Sequence, residues 1–80
     1  MTGFRGDARM WDKINHTAKW LENLEGETRE RVDAELKRQI RALEKCMNGE
    51  MPKRTARRII DRSSRRVAWI VAAGGGKDAV

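Results

Sequence analysis

Six arginines and one lysine crowd residues 53–66, KRTARRIIDRSSRR, against a single carboxylate, Asp61. Guanidinium groups are always charged, planar, and donate in a fork that matches carboxylates and phosphates. The rest of the chain lacks this bias. Residues 1–51 hold ten Lys/Arg and ten Asp/Glu, whereas residues 52–80 hold eight cations against Asp61 and Asp78. Local salt bridges cannot neutralise so one-sided a cluster, and its field favours an anionic partner. A plain solvated helix face is the competing account.

Other residue types offer less chemistry. His16 and Cys46 are the only soft metal ligands and stand thirty positions apart, far from any zinc spacing, so no metal site is expected. His16 is expected at the surface. Cys46 is expected as a half-buried hydrophobe at the edge of the second helix's seam. The carboxylates are scattered through salt-bridge ladders, and no isolated pair suggests acid–base work. The run GGGK at 74–77 follows a helix instead of joining a strand to one, and no Ser or Thr follows its lysine, so it is not a phosphate loop. No catalytic residue and no cofactor are expected, and the chain reads as a non-enzyme.

Helical periodicity must position the cations. A first helix is predicted over about residues 7–24, with Asp7 as N-cap and Met10, Trp11, Ile14, Ala18 and Leu21 on one face. Gly26 supplies the break. A second helix is predicted over about 27–47. Its seam is Val32, Leu36, Ile40, Leu43 and Met47, and it is expected to pack through the first four and nothing else. Its charges fall at i,i+4 as Glu27–Arg31, Arg29–Asp33, Arg31–Glu35 and Asp33–Lys37. Asn48-Gly49 ends it. A third, basic helix is predicted over about 52–73, opened by Pro52 and stopped by Gly74-Gly75-Gly76. Its inner stripe is Ala56, Ile59, Ile60, Val67, Ile70 and Val71, with Ser63 in the middle. Residues 74–80 are expected to form a flexible tail. The fold expected is all-α: a compact three-helix bundle, an antiparallel hairpin plus a basic third helix, making one domain over 1–80.

Residues 55–70, TARRIIDRSSRRVAWIV when read on to Val71, resemble a helix-turn-helix in outline, with a turn at 61–64. They lack a turn glycine, and the apolar spacing runs on through Ser63, so one continuous helix is the preferred reading.

Size and composition bound the rest. An 80-residue chain buries only about three-fifths of its unfolded surface, and its one cysteine allows no internal disulfide. Helix packing must supply the stability, and the chain is compatible with either a monomer or a homodimer. A lone thiol fits a reducing compartment, the N-terminus with Arg5, Asp7 and Arg9 has no apolar signal region, and VAWIVAA at 67–73 is too short to span a bilayer. A cytoplasmic, soluble protein is expected.

On the third helix, Arg54, Arg58, Arg62 and Arg65 fall opposite the apolar stripe, and Trp69 joins their side. With Arg66 they form the candidate site for nucleic acid or another anionic partner. The primary expectation is docking on nucleic acid, mainly through phosphates and with weak sequence selectivity. The alternative is a protein-binding inhibitor or adaptor, similar in size to the accessory proteins of mobile elements, whose arginine face meets an acidic protein surface. Trp20 and Leu24, at the edge of the first helix's stripe, form a candidate apolar patch for such a partner. A membrane surface is not expected as partner, because the apolar face of the third helix is needed for the core.

Overall fold

The computed structural model describes residues 4–75, with side chains from residue 8 to residue 73. Three helices follow one another: α1 (Phe4–Glu22), α2 (Gly26–Met47) and α3 (Lys53–Ile70). Each packs on the other two, α2 most extensively on α3. A single π-helical turn, Val71–Gly75, extends α3. No strand occurs among the described residues, and the architecture is the expected three-helix bundle. No helix is long and apolar enough to cross a membrane, among the described residues.

The connections follow from local chemistry. The last turn of α1 tightens, with the Asn23 and Leu24 amides donating to the Trp20 and Leu21 carbonyls. Gly26 then reverses the chain at φ +66°. At the far end of α2, Gly49 takes φ +79°, the Gly49 amide donates to the Cys46 carbonyl at 3.1 Å, and the Glu50 amide donates to the Lys45 carbonyl at 2.8 Å. This is the Schellman closure that Asn48-Gly49 predicts. Pro52, extended at ψ 145°, is the residue immediately before α3, and its carbonyl accepts the Ala56 amide at 3.0 Å.

Three boundaries move. α1 begins at Phe4, so Asp7 lies inside the helix and not at its cap. α1 ends at Glu22, which leaves Leu24 in the connection. α3 gives way to the π turn after Ile70, before the glycines. The expected tail, from residue 76 on, lies outside the described residues. Residues 55–70 form one unbroken helix, so the helix-turn-helix alternative is set aside.

The core is divided. One apolar cluster joins Met10, Ile14, Ala42, Leu43, Ala56 and Ile60, with Leu36, Cys46, Met51 and Ile59 packed against it. The second joins Leu24, Val32, Val67 and Val71, with Leu21 and Ile70 alongside. Between them along the helices come the buried polar residues: Thr17 on α1, Glu35 and Gln39 on α2, Ser63 on α3. The Thr17 hydroxyl donates to the Lys13 carbonyl of its own helix at 3.1 Å. The other three bond to one another across the α2–α3 interface.

This layer rotates two helices from their expected orientation. α2 buries Val32, Glu35, Gln39, Ala42 and Leu43, while Ile40 is 37% exposed, Met47 is 60% exposed and Leu36 is only half-buried. Ile40 follows Gln39 and so points about 100° away from it. α2 must face both α1 and α3, which requires a wider arc than a seam for one neighbour, and the arc centres on Gln39. α1 behaves alike. Met10, Ile14 and Thr17 are buried, and Trp11, one residue on from Met10, turns outward to 46% exposure.

Candidate anion-binding face

α3 presents two faces because its inner positions are small or branched and its outer ones are arginine. Ala56, Ile60, Ser63 and Val67 are buried against α1 and α2. Arg54, Arg57, Arg58, Arg62 and Arg65 are all exposed on the other side. Between their side chains, with Lys53 and Asp61, runs an open furrow of about 480 Å³. Arg57, which the sequence reading left out of the candidate set, belongs to this face.

The carboxylates nearest the face are engaged elsewhere. Asp61 pairs with Lys13 of α1. Glu35 of α2, almost wholly buried, accepts from Arg66 at 3.1 Å and 3.3 Å and from the Ser63 hydroxyl at 2.9 Å. Among the described residues no carboxylate pairs with Arg54, Arg57, Arg58, Arg62 or Arg65. No ion pair among the described residues holds these five guanidinium groups, so an incoming anion meets donors with no such bond to break.

The same geometry assigns the other candidate residues. Arg66 is held against α2 by Glu35, at the flank of the face. The expected Arg31–Glu35 pair is absent because Glu35 turns inward. Of the four predicted ladder pairs, Glu27–Arg31 at 3.0 Å and Asp33–Lys37 at 3.2 Å form. Trp69 lies one turn beyond Arg65 and is 71% exposed, beside a depression lined by Glu27, Thr28, Arg31, Ile70 and Ala73. Trp20 remains partly exposed, its ring edge-on to His16 with centroids 6.3 Å apart. Leu24 does not share a patch with it. The turn after α1 folds Leu24 inward, where it packs with Val32, Val67 and Val71. Cys46 is half-buried against the first cluster, as expected.

Lys13 is the residue that sequence reasoning missed. It stands forty-eight positions from Asp61, and only the docking of α1 on α3 brings them together. No grouping of His, Cys, Asp or Glu with the makings of a metal site occurs among the described residues. Comparison of the chain with protein-family models, with curated proteins and with solved structures finds no match.

Proposed function

We propose that this chain is a small binding protein that docks the arginine face of α3 on nucleic acid. The observation that carries the reading is the set of five exposed guanidinium groups without an acidic partner among the described residues, on a helix whose own carboxylate is claimed by Lys13. Phosphate oxygens are the ligands such a face suits. The Arg-rich choice also points past mere solubility, which lysine serves equally well. Binding of this kind releases counterions, so affinity falls steeply with salt.

The test is a titration of random-sequence oligonucleotides at two salt concentrations, with the wild type and with Arg58→Ala/Arg62→Ala/Arg65→Ala. The three side chains lie outside the core, so the variant should keep the wild-type circular dichroism. Binding should be salt-sensitive, and the variant should flatten the slope of log K against log salt by about 0.7–0.9 for each phosphate it no longer neutralises. A folded variant with unchanged affinity would reduce the charge cluster to a solvated face.

A second reading has its own observation. Trp69 is the most exposed large hydrophobic residue among the described ones, and an exposed tryptophan beside arginines is the composition of a protein-interface anchor. On that reading the face meets an acidic protein surface, and Trp69→Ala weakens binding by raising the off-rate.

A further inference from the structure

We infer that the partner of the α3 face is B-form duplex DNA, entered through the major groove. The inference rests on the nucleic-acid reading above and adds the form of nucleic acid that fits. Three features select it. The arginines lie along one uninterrupted α-helix, since the backbone remains α-helical from Lys53 to Ile70. Such a helix is about 10–12 Å across with its side chains, and the major groove of B-DNA is about 12 Å wide. From Arg54 to Arg65 the face runs about 16 Å at 1.5 Å per residue, the rise of some five base-pair steps at about 3.4 Å each.

The flanks fit as well. On the α2 side the face is bordered by Arg66–Glu35, and the carboxylate that lies among the arginines, Asp61, is paired with Lys13 of α1. Each pair is internally neutral, so the ridge keeps the positive charge of Arg54, Arg57, Arg58, Arg62 and Arg65. A binder of single strands has a different build: a groove that tracks the backbone, paved by several aromatic platforms. Here, among the described residues, Trp69 is the one aromatic on the arginine side. Duplex RNA is excluded by shape, because its major groove is too deep and narrow for side chains to read. Within a B-DNA groove, arginine's fork suits the O6 and N7 acceptors of guanine, so the face should favour G-containing sites modestly over A·T runs.

The experiment is fluorescence anisotropy with four probes: a DNA duplex of about 20 base pairs, the same sequence as duplex RNA, one of its DNA strands alone, and heparin as a polyanion without grooves. A fifth probe carries 7-deazaguanine in the DNA duplex, which deletes the N7 acceptor and leaves the phosphates unchanged. The inference expects the DNA duplex to bind at least tenfold more tightly than the RNA duplex, the single strand and heparin, and the 7-deazaguanine duplex to lose severalfold. Similar affinity for all polyanions would overturn the groove assignment and leave the phosphate-binding reading standing. Tighter binding to the single strand or to duplex RNA would overturn it in favour of those forms. Binding to none of the probes would remove both readings and leave an acidic protein surface as the partner.

Discussion

Replacing Glu35 with alanine tests whether the polar layer holds α2 to α3. The side chain accepts one hydrogen bond from a buried hydroxyl, Ser63, and two from a half-exposed guanidinium, Arg66. A hydrogen bond to a charged group contributes about 1.5–3 kcal/mol. The lower figure applies to Ser63, because its hydroxyl also has the main-chain carbonyl of Glu35 at 3.3 Å as an acceptor, which the substitution leaves in place. The Arg66 pair adds less than about 1 kcal/mol, since nearly half of that side chain is in water. Removing the one methylene that alanine lacks, Cγ, from the interface adds about 0.8 kcal/mol. Glu35→Ala is thus expected to destabilise the bundle by about 2–3 kcal/mol. For a domain of this size that lowers the melting temperature by about 10–20 °C. Thermal and urea unfolding followed by far-ultraviolet circular dichroism measure both quantities. Arg66→Ala is the control, with an expected loss under about 1 kcal/mol. Two variants equally close to wild type would refute the reasoning, because Glu35 would then behave as a surface residue.

Three further outcomes are expected. Gln39→Leu should leave stability unchanged or raise it by up to about 1 kcal/mol, because it replaces a fully buried side chain whose Oε1 has no partner among the described residues; a lower urea midpoint would mean that oxygen is satisfied in solution. Leu43→Ala should destabilise by about 2–4 kcal/mol and Ile40→Ala by less than about 1 kcal/mol, and a reversed order in chemical unfolding would restore the seam read from the sequence. Gly49→Ala should lose about 1 kcal/mol, measured by thermal unfolding, purely from its positive φ, because a Cβ there meets open space.

The helix count, the connections and the outer face of α3 were legible because each depends on neighbours in the chain. Gly49 closes its helix through bonds that span five residues or fewer, and the arginines share a face by spacing alone. The azimuth of α2 was not legible. Its apolar letters trace Leu36, Ile40 and Met47, but Gln39 is buried because Ser63, twenty-four positions away, accepts its amide at 2.9 Å. A pattern that scores Gln and Glu as outward-facing has no access to that partner. Thr17 misled in the same way: its hydroxyl is satisfied within α1, so its methyl group takes a core position that the periodicity gives to Trp11. Leu24 reads as an edge residue because the predicted helix runs on to it, whereas the chain leaves α1 at Glu22 and the turn folds Leu24 inward. Ser63, by contrast, stood out in the sequence as the one polar residue within the stripe of α3, and it became the hub of the layer.

The layer also determines which of several near-equivalent alignments the chain adopts. A bundle with uniformly aliphatic packing can slide one helix past another by a turn, about 5.4 Å, and bury nearly the same hydrocarbon area. Here that slide would bring Ile59 or Val67 to the place of Ser63. Glu35 would face a branched alkyl group, and the Gln39 amide would be deprived of the acceptor it has. A buried polar group left without its hydrogen-bond partner is more costly than a missing methyl group. The slipped isomers are thereby raised in energy relative to the native one. The arginines of α3 inherit that discrimination. Their position relative to Lys13 and to the N-terminal half of α2 is fixed by a hydroxyl, an amide and a carboxylate on the opposite side of their own helix.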